Sequence, residues 1–123
     1  MQEFYTLTLN KGKKEVKKQK GYIEEIGGHQ IGFYKYIDDI HLSAENHYNP
    51  ITIWYPIDLE SGLSLINSDD KNLKLDTRTK SRKIIEDRLD RMNKLKATKQ
   101  YKKVVEEFEK LVSEEKEKHI TYL

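Results

Sequence analysis

A chain of 123 residues has room for one ordinary domain, with a sheet expected over about residues 3–66 and a helical part over about 77–118. Apolar and charged residues each make up 36%, so the core must be small and drawn mainly from aromatic and β-branched side chains. Cysteine is absent, which excludes disulfides, thiolate metal sites and cysteine nucleophiles. No run is long enough for a membrane span, and residues 1–9 lack the basic start and apolar stretch of a secretory signal. The expectation is a cytoplasmic protein with no membrane partner.

Charge is segregated although the net value is only +2. Residues 11–20 carry six lysines against one glutamate, and residues 77–103 carry eleven bases against three acids. Residues 21–76 carry ten acids against three lysines. Such blocks set up local fields that the total conceals.

In chain order, Tyr5, Leu7 and Leu9 alternate with threonines, the pattern of a half-buried strand. The lysine-rich stretch around Gly12 reads as a long turn or as an exposed strand protected by its charge. Residues 22–26 and 30–37 flank Gly27-Gly28, which can supply the positive φ angles of a tight hairpin. On the second arm Ile31, Phe33 and Ile37 share one face and Tyr34 and Tyr36 the other, as on a central strand. Residues 38–49 read as a polar loop with a helical turn near residues 40–44. Ile51, Ile53, Tyr55 and Ile57 then alternate with Trp54, and Pro56 points to a sheet edge or a strand end. Residues 58–62 make a turn and residues 63–66 return as a short strand.

A polar connection leads to a helix capped by Asp76 or Thr77, with Ile85, Leu89 and Met92 at helical spacing. Thr98 caps a second, where Tyr101, Val104, Val105, Phe108, Leu111 and Val112 form an apolar stripe. The second stripe is turned by roughly a quarter turn from the first, so one straight helix cannot place both on a flat core. A break near residues 97–98 is predicted. The fold class is therefore α+β: an antiparallel meander of four to five strands followed by two C-terminal amphipathic helices.

The basic block is the strongest functional signal. Lys80, Lys83, Arg91 and Lys94 fall close together on a helical wheel, flanked by Arg82 and Arg88, and Lys13, Lys14 and Lys17 can extend the patch. Such a patch neutralises phosphates or docks on an acidic protein face, and its plain alternative is a solvated helix surface. Asp87 and Asp90 fall near the same stripe, which disfavours a pure phosphate-binding face. Tyr34, Tyr36 and Trp54 sit opposite the more aliphatic strand faces, either as a stacking or docking platform or buried under the helices.

No catalytic set stands out. His29, His41, His47 and His119 are scattered, and neither the loop with His41, Glu45 and His47 nor any regular element shows short metal-ligand spacing. Asp58, Asp69 and Lys71 loosely follow the order of a metal nuclease, but turn chemistry accounts for each of them. No cofactor or metal is expected.

The order of Trp54 on a strand, Asp58 in an acidic turn, Ser61-Gly62, a short apolar strand and a lysine-rich helix near residues 79–95 resembles small accessory proteins of phages and mobile elements from low-GC Gram-positive bacteria. That resemblance carries no functional residue. It implies a setting in which such proteins are often non-enzymatic and act by binding a host or invader protein, inhibitors of CRISPR nucleases among them. The leading expectation is a non-catalytic protein that docks on a nucleic-acid-handling protein and inhibits or modulates it. The alternative is direct binding of DNA or RNA through the basic helical face. A homodimer is compatible with either.

Overall fold

The computed structural model describes residues 1–38 and 51–121. Most of the polar loop expected over residues 38–49, with its helical turn and the histidines at 41 and 47, lies outside the described residues, as does the side chain of His119. Four antiparallel strands form one sheet in sequence order: β1 (Gln2–Asn10), β2 (Lys13–Ile26), β3 (His29–Asp38) and β4 (Ile51–Asp58). A 3₁₀ helix (Ser68–Leu73) and three helices follow, α1 (Arg78–Asp87), α2 (Leu89–Lys96) and α3 (Lys99–Thr121).

The lysine-rich stretch is a strand. Lys11 and Gly12, both at positive φ, turn β1 into β2, and the two strands pair from Gln2↔Gly21 to Asn10↔Lys13. Gly27 and Gly28, at φ 57° and 85°, make the β2–β3 hairpin as the residue pair requires. β3 is central, paired with β2 through Tyr22–Ile26 and with β4 from Ile31↔Asp58 to Asp38↔Ile51. At Gly21 the long strand β2 passes from one partner to the other. A Cβ there would stand 1.9 Å from the carbonyl oxygen of Phe33, so only glycine permits the approach.

Two expectations are corrected. Residues 63–66 form no fifth strand. They make a single bridge, Ile57↔Ser64, and cover the outer edge of β4 through Asp58 N–H to Leu63 O and Leu65 N–H to Pro56 O, both 2.9 Å. Pro56 thus lies on an edge strand, where its missing N–H costs no ladder bond. The helical part has three helices instead of two. Arg88 (φ −110°, ψ 9°) interrupts the first, and its N–H turns to Ile85 O, three residues back. The expected break at residues 97–98 is present between α2 and α3.

Caps fix the helix starts. Thr77 accepts the Lys80 N–H, and Thr98 Oγ1 accepts the Tyr101 N–H at 3.2 Å while donating to Leu95 O at 2.7 Å. Asn67 and Asp70 form a reciprocal capping box on the 3₁₀ helix. The core then closes between sheet and helices. Ile26, Ile31 and Phe33 pack with Ile85 and Met92, joined by Trp54, Leu65 and Leu89. A second cluster joins Ile53, Ile66 and Leu75 with Tyr55 and Ile84. The far edge is closed as well: the N–H of Leu7 on β1 donates to Gly62 O at 2.8 Å. Gly62 in turn lies under the ring of Phe108, which leaves no room for a Cβ.

Candidate interaction surface

The structure divides the predicted basic patch. Lys80 pairs with Asp76 at 2.7 Å, one turn back. Arg82 bridges Glu24 on β2, at 2.8 Å, and Glu86 on its own helix. Arg88 points inward. Its guanidinium grips Asp70 through both Nη atoms, at 2.6 and 3.0 Å, and reaches Leu65 O at 3.3 Å. These pairs occupy three of the six predicted helical bases. The other three, Lys83, Arg91 and Lys94, are exposed and form no ion pair among the described residues. Asp87 and Asp90 are exposed on the same two helices, so this surface carries both signs.

The β2 lysines do not join it. Lys14 reaches Glu107 of α3 at 2.7 Å, and β2 packs on α3, whereas α1 packs on β4. Lys13 and Lys17 are exposed on the opposite face of the ribbon from Lys14, by strand alternation.

The three aromatics do not form one platform. Lys35↔Trp54 pairing places Trp54 on the side of Ile31 and Phe33, where it packs against the core and lies 6.0 Å from the Tyr22 ring. Arg78 sits over Tyr22 at 4.0 Å. Tyr34 and Tyr36 occupy the other side with Tyr55: Tyr34 stacks on Tyr55 at 5.3 Å and Tyr36 meets it edge-on at 5.9 Å. Burial, then the neighbouring phenols of Tyr55 and Tyr36, push the Tyr34 hydroxyl up to about 12, so it remains protonated at neutral pH.

A cluster that the sequence did not disclose lies where β4 meets the α2–α3 junction. Asp58 is 2% exposed. Its Oδ2 accepts from Tyr101 OH at 2.5 Å and Ser61 Oγ at 2.7 Å, and Lys96 Nζ stands 3.0 Å from Oδ1. Tyr101 OH and Lys96 also reach Glu60, at 3.2 and 3.4 Å. Burial pushes the Asp58 carboxyl up, but the hydrogen bonds from Tyr101 and Ser61 and the neighbouring Lys96 ammonium outweigh it and hold the group below its ordinary value. The Tyr101 hydroxyl is pushed up by burial and by Asp58. The Asp58 Oδ1 is buried without a hydrogen-bond donor among the described residues and is neutralised by the Lys96 ion pair alone, so the carboxylate is held in an ionic clasp within the fold and is not free to ligate a nuclease metal. Asp69 is exposed at the start of the 3₁₀ helix, and the side chain of Lys71 lies outside the described residues. Buried His29 is engaged by Asn93 Oδ1 at 2.8 Å. Among the described residues no group of three His, Cys, Asp or Glu side chains is placed to hold a metal ion.

Beside the exposed helical face runs a groove of about 180 Å³ between α2 and residues 64–67. Leu65, Ile66, Met92 and Leu95 line it, with Arg88 and Arg91 as the charged lining residues among those described. Leu95, at the rim, is 47% exposed. Comparison of the chain with protein-family models, curated proteins and solved structures finds no match. No helix among the described residues is long and apolar enough to cross a membrane.

Proposed function

We propose that this is a non-catalytic binding protein of a phage or mobile element, which docks through the exposed face of α1 and α2 on a nucleic-acid-handling protein and inhibits or modulates it. An inhibitor of a CRISPR effector nuclease is the sharpest form of this reading. The observation that carries it is the mixed sign of the exposed residues on α1 and α2: Lys83, Arg91 and Lys94 are exposed there together with Asp87 and Asp90. Phosphate binding rewards a surface of one sign. A protein partner can match both signs at once, and charges so placed set register and suppress wrong partners.

A second reading rests on a different element. Lys13 and Lys17 project from one face of the β1–β2 ribbon, and such a ribbon can follow a nucleic-acid backbone. Two assays separate the readings. The first is binding to labelled DNA and RNA between about 50 and 200 mM salt, where phosphate contacts would weaken steeply. The second is DNA cleavage by a panel of CRISPR effector nucleases with the protein added. The proposal expects no nucleic-acid binding, and inhibition of a nuclease that is lost in the Lys83→Glu, Arg91→Glu, Lys94→Glu triple variant. Salt-sensitive DNA or RNA binding that disappears in Lys13→Glu, Lys17→Glu would establish the second reading in its place.

A further inference from the structure

We infer that the groove beside α2 takes an acidic, apolar segment of a partner protein: an apolar side chain seated on Met92 and Ile66, and a carboxylate on Arg91. This deepens the proposed docking of the α1–α2 face and rests on it.

Shape comes first. At about 180 Å³ the groove is smaller than the sites that enclose drug-sized ligands, but it has room for a side chain or two of a docked segment. Its floor includes the apolar Ile66 and Met92, 7% and 5% exposed, while Leu95 stands open on the rim. An apolar anchor entering there would remove Leu95 from water as well, which favours association.

Charge then selects the segment. Among the described residues both charged lining groups are arginines, and no carboxylate lines the groove. The Asp70 pair already neutralises Arg88 and fixes it in place through two short bonds. Arg91 is the uncompensated charge: it is exposed and without an ion pair among the described residues. Arg91 lines the groove together with Arg88, so its charge faces whatever enters. A guanidinium at the lip of an apolar slot fits a planar carboxylate in two-pronged geometry. A nucleic acid would satisfy the charge but leave the apolar floor unused, so the chemistry favours a protein segment of alternating acidic and apolar residues.

The test uses the full ¹⁵N-labelled chain and a synthetic twelve-residue peptide with leucine or phenylalanine at helical spacing and aspartate or glutamate between. A control peptide keeps the apolar positions and carries lysine in place of the acids. Expected are saturable amide shifts confined to residues 64–67 and 88–95 for the acidic peptide only. Affinity should fall about tenfold or more in Arg91→Glu and in Leu95→Asp, whose parent side chains are exposed so that the unshifted remainder of the spectrum confirms folding. Equal binding of the lysine peptide, shifts centred elsewhere, or no saturation up to about 1 mM overturns the inference. The broader docking reading fails separately. Nuclease inhibition that is lost in Lys83→Glu, Lys94→Glu while the acidic peptide never binds would keep the face as a docking surface and dismiss the groove.

Discussion

Gly21 and Gly28 stand seven residues apart on the same hairpin, and they are glycine for different reasons. Gly28 is at φ +85° with nothing within 4 Å of where a Cβ would be, so its requirement is torsional. Gly21 has an ordinary φ, and its requirement is the Phe33 carbonyl, 1.9 Å from the place a Cβ would take. Gly28→Ala should therefore cost about 1 kcal/mol, the penalty of an L side chain in the left-handed region. Gly21→Ala should cost roughly 3 kcal/mol or more, because backbone of β2 or β3 must move. Urea unfolding of the two variants reads the difference directly. Equal midpoints would mean that β2 does not pass this close to β3. The sequence showed only one of these two sites. Gly27-Gly28 between alternating arms announces a hairpin locally, whereas the constraint on Gly21 is set by a carbonyl twelve residues further along.

Elements show the same division between local and distant causes. β3 and β4 were readable because their apolar residues alternate, and the α2–α3 break because the two stripes disagree in phase. Counting bases along the chain then misled at Arg82 and Arg88, since it does not see the strand or turn opposite. Their partners, Glu24 and Asp70, lie 58 and 18 residues away. Trp54 was similarly misplaced beside Tyr34 and Tyr36, because alternation within each strand leaves the register between strands undetermined until Lys35↔Trp54 is known. The α2–α3 break itself rests on Thr98. Ala97 is already helical at φ −82°, ψ −7°, so the cap is what separates the helices. Thr98→Ala should cost about 1 kcal/mol from the lost cap. It should also speed amide exchange at Tyr101, whose N–H loses its acceptor and whose hydroxyl is drawn off Asp58 as α2 and α3 straighten. Thr77→Ala, which removes a cap of the same kind from α1, should cost a similar amount and leave Tyr101 protected. Tyr101 exchange unchanged in Thr98→Ala would show that tertiary packing, and not the cap, sets the break.

At the scale of the whole molecule, two carboxylates fasten the helices, one to the sheet and one to the 3₁₀ segment that follows it. Asp58 at the end of β4 holds Lys96 and Tyr101 on either side of the α2–α3 junction. Asp70 in the 3₁₀ helix holds Arg88 at the α1–α2 junction, and the hydrogen bonds from Arg88 keep its carboxyl down at about 2. Both groups titrate below their unfolded values, so their contribution is complete above an unfolded carboxylate pKa of about 4 and is lost as pH falls toward the folded value. Stability should therefore hold steady from neutral pH to about pH 5 and drop steeply between about pH 4 and 2. The sole tryptophan reports where the loss occurs, because Trp54 packs against the cluster that joins Ile85 and Met92 to the sheet. Its emission should shift red along with the acid transition, as the helices leave that cluster. Arg88→Met should cost roughly 2 to 3 kcal/mol at neutral pH, where Asp70 is left charged and without its partner. It should also weaken the acid dependence, since the hydrogen bonds from Arg88 are the largest of the causes that hold the Asp70 carboxyl down. Tyr101→Phe should flatten it at Asp58 in the same way. An acid slope identical in wild type and both variants would place the proton uptake elsewhere and remove these two clasps as the fasteners of the fold.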